Sequence, residues 1–466
     1  MITSADNPFL SLPQSFDPNN YHGSQSWVDF VLNSISGTPT RSMELIGLPG
    51  MGKTFLLRYL ADPNGALKKS TQALHEPFRS DPSKIFPVFV EFRLLPTNMH
   101  PYVYLFNRFR DEMVLFARRC QPRKDLAELL SIAADPKSAG EATASLETSL
   151  LGLKREGIRT AFLFDDFHLA FGLLTQEETT RLRPWREAAA FILATERRLD
   201  KVNAEASGSP FYQTLQVLPF GGLSEPEARA LVADPAKHAG WAFSQVDLDF
   251  AMKQAGGHPL LLILAGRAIW DARNTLDYTP GSKEAVSNRF STMLVGRFKE
   301  WFRPVFMMYF EHLDPDEQQA LRAIATTSEI NSQYDRALAF LEKLGLVIFI
   351  PRANGGYYKP FSFLLEDYIK NSNAPLAILK PQGISSIETQ LLDYLEKHMN
   401  QPSSSYDLAR EVWGQRPTTA REKELASRRV QVAISRLRKK LQQSHNADIL
   451  SIRDQGYLLT LPNGDS

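Results

Sequence analysis

The chain has 466 residues, of which 43% are hydrophobic, and a chain of this length is expected to form two to four domains. Its 53 basic and 52 acidic residues nearly balance, which excludes a protein that is basic throughout but does not exclude a local basic patch. The single cysteine, Cys120, excludes intrachain disulfides and thiolate metal clusters and is typical of a reducing compartment.

The N-terminal stretch MITSADNPFLSL lacks the basic segment followed by an apolar segment that a signal peptide needs. No run approaches the roughly 18 consecutive apolar residues of a membrane span. We therefore expect a cytoplasmic protein that does not associate with a membrane.

The first informative segment is ELIGLPGMGKTFLLRYL, from Glu44 to Leu60. Its central turn has the spacing G-x-x-x-x-G-K-[ST], from Gly47 to Thr54. The preceding MELI is apolar enough for a buried strand, and TFLLRYL has apolar residues at helical spacing. A strand, a glycine-rich turn and a helix in this order predict a loop that binds phosphate groups.

The residue types fit that chemistry. In such a loop the backbone N–H groups converge on phosphate oxygens at the helix N-terminus. Lys53 reaches the β- and γ-phosphates, and the Thr54 hydroxyl ligates Mg²⁺. The residues that we expect around the nucleotide are Gly47, Pro49, Gly50, Met51, Gly52, Lys53, Thr54 and Phe55. The alternative is a glycine-rich turn that holds no ligand.

A second segment, RTAFLFDDFHLA, predicts a buried strand over Ala161 to Phe164 that ends in Asp165 and Asp166. In an enzyme with a phosphate loop, the first carboxylate holds Mg²⁺ through water, and the next acidic residue orients or deprotonates the attacking water. Asp165, Asp166 and Lys53 are thus the predicted catalytic residues, and Asp165 and Thr54 the predicted metal ligands. A strand end without a function is the alternative.

Two further apolar segments, Pro87–Phe92 and Ala189–Arg198, complete the strands of a predicted α/β fold with a doubly wound parallel sheet. The second ends in Thr195-Glu196-Arg197, at the edge where ligands bind in open α/β sheets. Thr195 or Arg197 is therefore a candidate sensor of the γ-phosphate, and a solvated strand end is the alternative. Between Cys120 and Leu153 lies a polar helical insertion whose role the sequence does not indicate.

Together these residues resemble the STAND class of signal-transduction ATPases, relatives of AAA+ and origin-recognition ATPases. The opening NPFLSLPQSFDPNNYHGSQSWVDF resembles the start of that family, with Tyr21 and Gly23 retained and Ser24 and Gln25 in place of an Arg-Glu pair. The stretch AGGHPLLLILAGRAIWD carries the Gly-x-Pro signature of the helical lid. This resemblance implies that Gly257 and Pro259 close over the bound nucleotide.

The resemblance also implies a domain order. We expect an ATPase core over residues 1–220, a helical lid over 221–303, a winged helix of the ATPase module over 304–372, a linker over 373–383 and a second winged helix over 384–466. In the first winged helix, the helix SQYDRALAFLEKLGLV has no net positive face. We therefore expect it to pack against the ATPase rather than bind DNA.

The last 80 or so residues, with RRVQVAISRLRKKL and the terminal ILSIRDQGYLL, resemble the winged helix of OmpR/PhoB-type response regulators. On a helix, Val430, Ile434, Leu437 and Leu441 form one apolar stripe, with cationic and polar residues opposite. An exposed Val432 among cations suits contact with a thymine methyl group, and arginines suit guanine edges or phosphate. The predicted DNA-binding residues are Arg428, Arg429, Gln431, Val432, Ser435, Arg436, Lys439 and, in the wing, Arg453.

Charge supports that interpretation. From Asp407 to Lys440 there are ten basic and four acidic residues, a net charge of +6 within a chain whose net charge is +1. Such a concentrated patch is typical of a nucleic-acid interface, although a solvated basic helix face is the alternative.

The leading hypothesis is a bacterial ATP-dependent regulator, a slow ATPase whose STAND-like nucleotide switch controls sequence-specific binding of double-stranded DNA, for transcription. An ATP-dependent DNA-remodelling, loading or transposition-helper ATPase is the first alternative, and a non-hydrolysing interaction scaffold is the second. The implied cofactors are ATP or ADP with Mg²⁺. The implied partners are double-stranded DNA, further copies of the chain in a nucleotide-dependent assembly, and a protein partner or inducer.

Overall fold

The computed structural model describes residues 7–9, 16–119, 136–275, 288–326, 334–352, 355–371, 385–397, 403–414, 420–444, 448–452 and 456–460. The chain divides into two compact units. The first comprises Met1–His312 and Leu338–Tyr368, and the second comprises Leu313–Ala337 and Ile369–Ser466. Arg453 therefore lies outside the described residues, as does the whole of the predicted linker, 373–383.

The first unit is built on a five-stranded sheet in the order β2-β3-β4-β1-β5. Its strands all run parallel. They are β1 Met43–Ile46, β2 Ile85–Glu91, β3 Arg159–Asp165, β4 Ala189–Thr195 and β5 Gln216–Pro219. The apolar runs form strands because parallel strands covered on both faces are buried along their whole length, as all residues of β1 and β4 are.

Helices cover both faces of this sheet. Phe162 and Phe164 of β3 belong to one aromatic cluster, while the equally buried Ala161 and Leu163 point to the other face. The helices are α1 Gln25–Ser36, α2 Lys53–Ala61, α3 Ala66–Lys69, α4 Pro101–Arg119, α5 Ala139–Arg155, α6 Phe167–Phe171, α7 Gln176–Thr180, α8 Leu182–Trp185, α9 Leu199–Val202 and α10 Ala204–Ser207. The predicted doubly wound α/β fold is confirmed.

The strand order fixes where the site lies. β4 is inserted between β1, which leads into the glycine-rich turn, and β3, which ends in the acidic pair. Because the strands are parallel, the segments after Ile46, Glu91, Asp165, Thr195 and Pro219 all leave the same edge of the sheet. That edge is where an open α/β sheet binds its ligand.

A helical region follows β5. It consists of α11 Glu225–His238, α12 Gln245–Ala255, α13 Pro259–Thr275 and α14 Asn288–His312. The elements α15 Pro315–Thr326, α16 Asp335–Lys343, β6 Val347–Arg352, β7 Gly355–Pro360 and α17 Phe363–Asn371 come next. The division into compact units cuts the predicted 304–372 winged helix after His312, after Ala337 and after Tyr368.

The C-terminal region contains α18 Ser386–Lys397, α19 Ser405–Trp413, α20 Ala420–Ser444 and the hairpin of β8 Asp448–Ile452 and β9 Gly456–Thr460. Its core includes the predicted stripe: Val430, Ile434, Leu437 and Leu441 are each at most 1% exposed. They pack with leucines of α18 and α19 and with Ile449 and Leu459 of the hairpin. Three helices and a two-stranded wing form a winged helix, as the sequence predicts.

No helix in the described part of the chain is long and apolar enough to span a bilayer. Of the insertion between Cys120 and Leu153, the described part is mostly α5, whose buried residues join the aromatic cluster on the sheet. This part of the insertion therefore contributes to the core of the fold.

Candidate nucleotide site and nucleic-acid interface

The turn between β1 and α2 has the backbone of a phosphate cradle. Gly50 and Gly52 have φ values of +80° and +94°, a conformation that residues with side chains rarely adopt. A Cβ atom at Gly50 would also lie 2.8 Å from the Leu260 side chain. Gly52 is the N-cap of α2 and gives its N-terminus no side-chain cap. The first N–H groups of α2 are therefore available to an anion.

Lys53 is held inside this turn. Its Nζ donates to the carbonyl oxygens of Gly47 at 2.5 Å and Leu48 at 3.1 Å. Burial lowers the pKa of Lys53, while the negative charges of Glu196 and Asp165 oppose that shift. An ammonium group held in a buried turn beside carboxylates is positioned to bind a phosphate oxygen without reorganisation of the fold.

The carboxylate at the end of β3 fits a metal ion. Asp165 is 2% exposed, and its Oδ1 has no hydrogen-bond partner among the described residues. Burial, reinforced by the charge of Asp166, raises the pKa of Asp165 to about 6, against the effect of a hydrogen bond with Thr54. An unpaired buried carboxylate oxygen next to a hydroxyl is a donor set that suits Mg²⁺.

The described residues contain no cluster of three or more histidine, cysteine or acidic side chains placed to hold a metal. Mg²⁺ does not require one, because it usually binds one or two protein groups and takes its remaining ligands from phosphates and water. Thr54 and Asp165 are the residues that would hold it. Bound there, the ion would neutralise charge on the phosphates.

Asp166 has an unusual backbone and a cationic partner. Asp166 is the only non-glycine residue in the described part of the chain that has a positive φ, with a value of 50°. Its carboxylate lies 3.0 Å from Nε of Arg93, which follows β2. The Arg93 guanidinium also lies 3.7 Å from Glu196, directly after β4. Three strand ends thus bring one cation and two carboxylates together.

These groups line one cavity of about 620 Å³ in the first unit. Of the predicted nucleotide-site residues, the ones that line it are Pro49, Gly50, Met51, Gly52, Lys53, Thr54, Phe55, Asp165, Asp166 and Pro259. Another part of the wall combines Tyr21 and Gly23, ahead of α1, with Leu223, Leu231 and Ile263 from the helical region. An aromatic and aliphatic wall beside a phosphate cradle suits a planar base.

Four predicted residues lie outside the cavity lining. Gly47 lies under the turn and accepts the bond from Lys53. Thr195 is fully buried, and its hydroxyl donates to Glu44 of β1 at 3.2 Å. Arg197 donates to the backbone oxygen of Glu311 at 2.7 Å. Gly257 accepts from the Leu223 N–H at 2.8 Å, so close that a Cβ atom there would meet the Leu223 oxygen.

At the end of β4, the structure separates three consecutive residues, and the role of Thr195 or Arg197 as a γ-phosphate sensor stays a prediction. The residue that faces the cavity is Glu196, because Thr195 turns into the sheet and Arg197 turns towards the end of α14. Arg93 also lines the cavity and was not predicted from the sequence. The signal that could have found it is its position: it follows an apolar strand, and the ends of parallel strands meet at one edge.

In the C-terminal region, α20 separates its apolar and polar residues by face. Opposite the buried stripe, the predicted DNA-binding residues Arg428, Arg429, Gln431, Val432, Ser435, Arg436 and Lys439 are all exposed. Val432 is 53% exposed, so its methyl groups are accessible between the cationic side chains. Arg428 pairs with Glu424 at 2.7 Å one turn earlier. Such a face can offer both charge and an apolar contact to a DNA groove.

The parallel sheet, the phosphate cradle and the acidic strand end define the first unit as a P-loop NTPase fold with a helical region after its last strand. Residues 380–459 match the family model described as "Transcriptional regulatory protein, C terminal", so the C-terminal domain is a winged helix of the OmpR/PhoB type. No curated protein matches the chain significantly.

Among solved structures, the chain is similar to a Walker-type ATPase of Pyrococcus abyssi, at 14% identity and a TM-score of 0.47, over 78% of this chain and 99% of that one. It is also similar to the ORC2 protein of Aeropyrum pernix in ADPNP–ADP complexes, at 13% identity and a TM-score of 0.40, over 78% and 98% of the two chains. A third is the A. pernix ORC1 protein in complex with DNA, at 15% identity and a TM-score of 0.37, over 79% and 98%. The class of the first unit rests on its own strand order and site.

Proposed function

We propose that this protein is an ATP-dependent regulator in which the nucleotide bound at the P-loop controls sequence-specific binding of double-stranded DNA by the C-terminal winged helix. The observation that carries the proposal is the presence, on one chain, of a phosphate cradle facing an acidic pair and of a winged helix whose exposed face is cationic. Regulation of transcription is the role that its C-terminal family favours.

In this proposal Lys53 binds the β- and γ-phosphates, and Thr54 and Asp165 hold Mg²⁺. Asp166 orients the attacking water. Hydrolysis is slow, as expected of a switch whose output depends on which nucleotide is bound rather than on the rate of turnover. Support comes from the convergence of these groups on one cavity and from the unpaired oxygen of Asp165. In this proposal Gly257 does not contact the nucleotide. It supports the site by holding the segment after β5 against the turn before α13.

At the DNA, Arg436 and Val432 would read base edges, and Arg429 and Lys439 would bind phosphates. Support comes from their common exposed face on α20 and from the buried stripe behind it, which holds that face rigidly. Arg453 remains a predicted contact of the wing.

We further propose a STAND-like organisation. Residues 221–303 serve as the lid, residues 304–372 form a winged helix of the ATPase module, and 373–383 form the linker. Closure of the lid would also favour contact between copies of the chain, so self-association is expected to depend on nucleotide.

The decisive experiment selects duplexes from a random pool with the full chain in a non-hydrolysable ATP analogue, in ADP and without nucleotide, at one salt concentration. We expect one enriched motif and an affinity for it that differs between ATP analogue and ADP by about tenfold, which corresponds to about 1.4 kcal/mol of coupling. No enriched motif, together with DNA-stimulated hydrolysis and filaments or rings, would favour a DNA-remodelling ATPase. The same affinity in all three conditions would refute nucleotide control.

A further inference from the structure

The last turn of α14 carries a histidine whose two ring nitrogens are both engaged. His312 contacts the Met308 backbone oxygen through Nδ1 at 2.7 Å and the Glu196 carboxylate through Nε2 at 3.0 Å. The Met308 oxygen and the Glu196 carboxylate are both hydrogen-bond acceptors, so this geometry suits a ring that donates through both nitrogens. In this arrangement His312 and Glu196 form an ion pair, with both side chains about 15% exposed.

Glu196 connects that ion pair to the nucleotide cavity, which it lines. Burial disfavours its charge, but the bond from His312 and the positive charge of Lys53 outweigh burial and hold the pKa of Glu196 at about 2. Its other oxygen lies 3.7 Å from Arg93, whose Nε is 3.0 Å from Asp166. The Glu196 carboxylate therefore links Lys53 and Arg93, at the cavity, to His312 at the end of α14.

Two further contacts hold the same turn. The Arg197 guanidinium donates to the Glu311 backbone oxygen at 2.7 Å, which satisfies a carbonyl group at the C-terminus of α14. The Tyr309 hydroxyl bonds to Nε2 of His258, in the turn before α13. Both of these residues are at most 4% exposed, and burial lowers the pKa of His258 to about 3, so this contact is between neutral groups. Of the three contacts, the Glu196–His312 pair alone is an ion pair that reaches the cavity.

We propose that the Glu196–His312 ion pair is a latch that closes on α14 when the site holds ADP or no nucleotide and opens when it holds ATP. The latch rests on the proposed nucleotide control and supplies its first step. Four of the cavity-lining side chains, Glu91, Asp165, Asp166 and Glu196, are acidic, so a γ-phosphate brings more negative charge to a wall that is already negative. It also attracts Arg93, one of the two cationic partners of Glu196.

The position of the latch in the chain allows it to affect the segment that follows α14. α14 ends at His312, and the second compact unit begins at Leu313. The chain returns to the first unit over Leu338–Tyr368, so a last turn that is held in one nucleotide state and released in the other changes the constraint where the chain first passes into the second unit. A ligand shifts such an equilibrium only through different interactions with the two states, and the additional phosphate of ATP provides this difference.

The test compares His312→Gln with wild type in the full chain. The glutamine retains a hydrogen-bonding side chain but cannot carry the charge. We expect His312→Gln in ADP to bind the selected duplex as wild type does with the ATP analogue, so that the ratio between the two nucleotides falls from about tenfold to below about twofold. Affinity for the ATP analogue should rise relative to that for ADP, by up to about tenfold, because ATP no longer has to open the latch. The direct contacts with the nucleotide stay in place, since His312 does not line the cavity.

His75→Gln is the matched control, since His75 also bonds through Nε2, to Asn33, away from the cavity lining. A wild-type ratio that persists in His312→Gln would overturn the latch and leave nucleotide control intact. A double-mutant cycle with Glu196→Gln then tests whether the two residues act as a pair. If they do, the ratio of DNA affinities between the two nucleotides should be no lower in the double variant than in either single variant. Additive losses of that ratio would contradict a shared role.

Amide hydrogen exchange on wild type tests the latch without any substitution and without DNA. Amides of residues 309–312 should exchange faster, by about fivefold or more, with the ATP analogue than with ADP. Equal exchange would overturn the latch even if DNA affinity depends on nucleotide. Faster exchange together with equal DNA affinities would retain the latch and refute the proposed control of DNA binding.

Discussion

The nucleotide cavity and the recognition helix differ in how deeply their charged groups are buried. Lys53, Asp165 and Asp166 are 6%, 2% and 7% exposed, whereas the side chain of Arg428 on α20 is 73% exposed. Charges in a buried site interact strongly, and no neighbouring group can replace one that is removed. Exposed charges are screened by salt, and several of them contribute to the same binding surface. One substitution should therefore abolish the function of the cavity but only weaken that of the helix.

The largest effect is expected for Asp166→Asn. It should slow ATP hydrolysis by about 10²- to 10⁴-fold while the nucleotide still binds, because the amide cannot accept a proton from the attacking water. Asp165→Asn should weaken Mg²⁺-dependent binding as well, since it removes a metal ligand. Steady-state turnover and nucleotide titrations with and without Mg²⁺ check this division of roles. The same kinetic defect in both variants would show that the assignment is wrong.

Lys53→Ala should weaken ATP binding by about 100-fold, near 3 kcal/mol, because it removes the buried charge that meets the phosphates. The strand beneath should stay folded, as the alanine still fits the first turn of α2. Lys68→Ala is the control, since Lys68 is exposed and bonds only to the nearby Asn64 among the described residues. A folded Lys53→Ala protein with unchanged ATP affinity would exclude this site as the nucleotide site.

Arg436→Ala should give a smaller loss, about 1 to 3 kcal/mol of DNA affinity, and should relax the sequence preference. Lys439→Ala should weaken binding about equally for all duplexes and lower the salt dependence by about one unit of slope. Filter binding or fluorescence anisotropy at several salt concentrations measures both effects, with the exposed Lys253 of the first unit replaced as the control. All-or-none loss in Arg436→Ala would contradict the contrast between the two regions.

The smallest effect concerns a buried carboxyl group in β1. Burial raises the pKa of Glu44 from its ordinary 4.5 to about 7, although hydrogen bonds from the Leu199 N–H and the Thr195 hydroxyl oppose the shift. A raised carboxyl pKa means that the unfolded state loses its proton first. The free energy of unfolding therefore falls as pH rises from about 4.5 to 7.

Glu44→Gln should remove that dependence and raise the free energy of unfolding by about 1 to 2 kcal/mol at pH 8, with little change at pH 4.5. Urea unfolding at the two pH values measures it, with the exposed Glu205→Gln as the control. Equal effects of Glu44→Gln at both pH values would show that the shift does not act on stability.

Local signals explain what the sequence predicts well. The P-loop spacing, the acidic pair and the buried strands each lie within about ten residues, and their residue types follow from chemistry or from continuous burial. The amphipathic stripe of α20 is equally local, because helical geometry alone fixes which residues share a face.

The parts that the sequence did not predict depend on neighbours far along the chain. Which of Thr195, Glu196 and Arg197 faces the cavity is decided by Glu44 in the adjacent strand and by the end of α14. Glu196 and His312 are 116 residues apart, and Arg93 reaches Asp166 from a different strand. Periodicity carries no information about such pairs, which appear only when the sheet order is known.

The backbone at Asp166 has a consequence for the evolution of this chain. With φ at 50°, the position lies in a region that glycine and asparagine tolerate better than aspartate does. The carboxylate thus occupies a position whose backbone conformation favours other residues, as often happens at functional sites. When variants are selected for thermal stability alone, Gly or Asn should accumulate at this position, and the resulting proteins should be more stable but unable to hydrolyse ATP. When variants are selected for thermal stability and ATP hydrolysis together, the aspartate should remain.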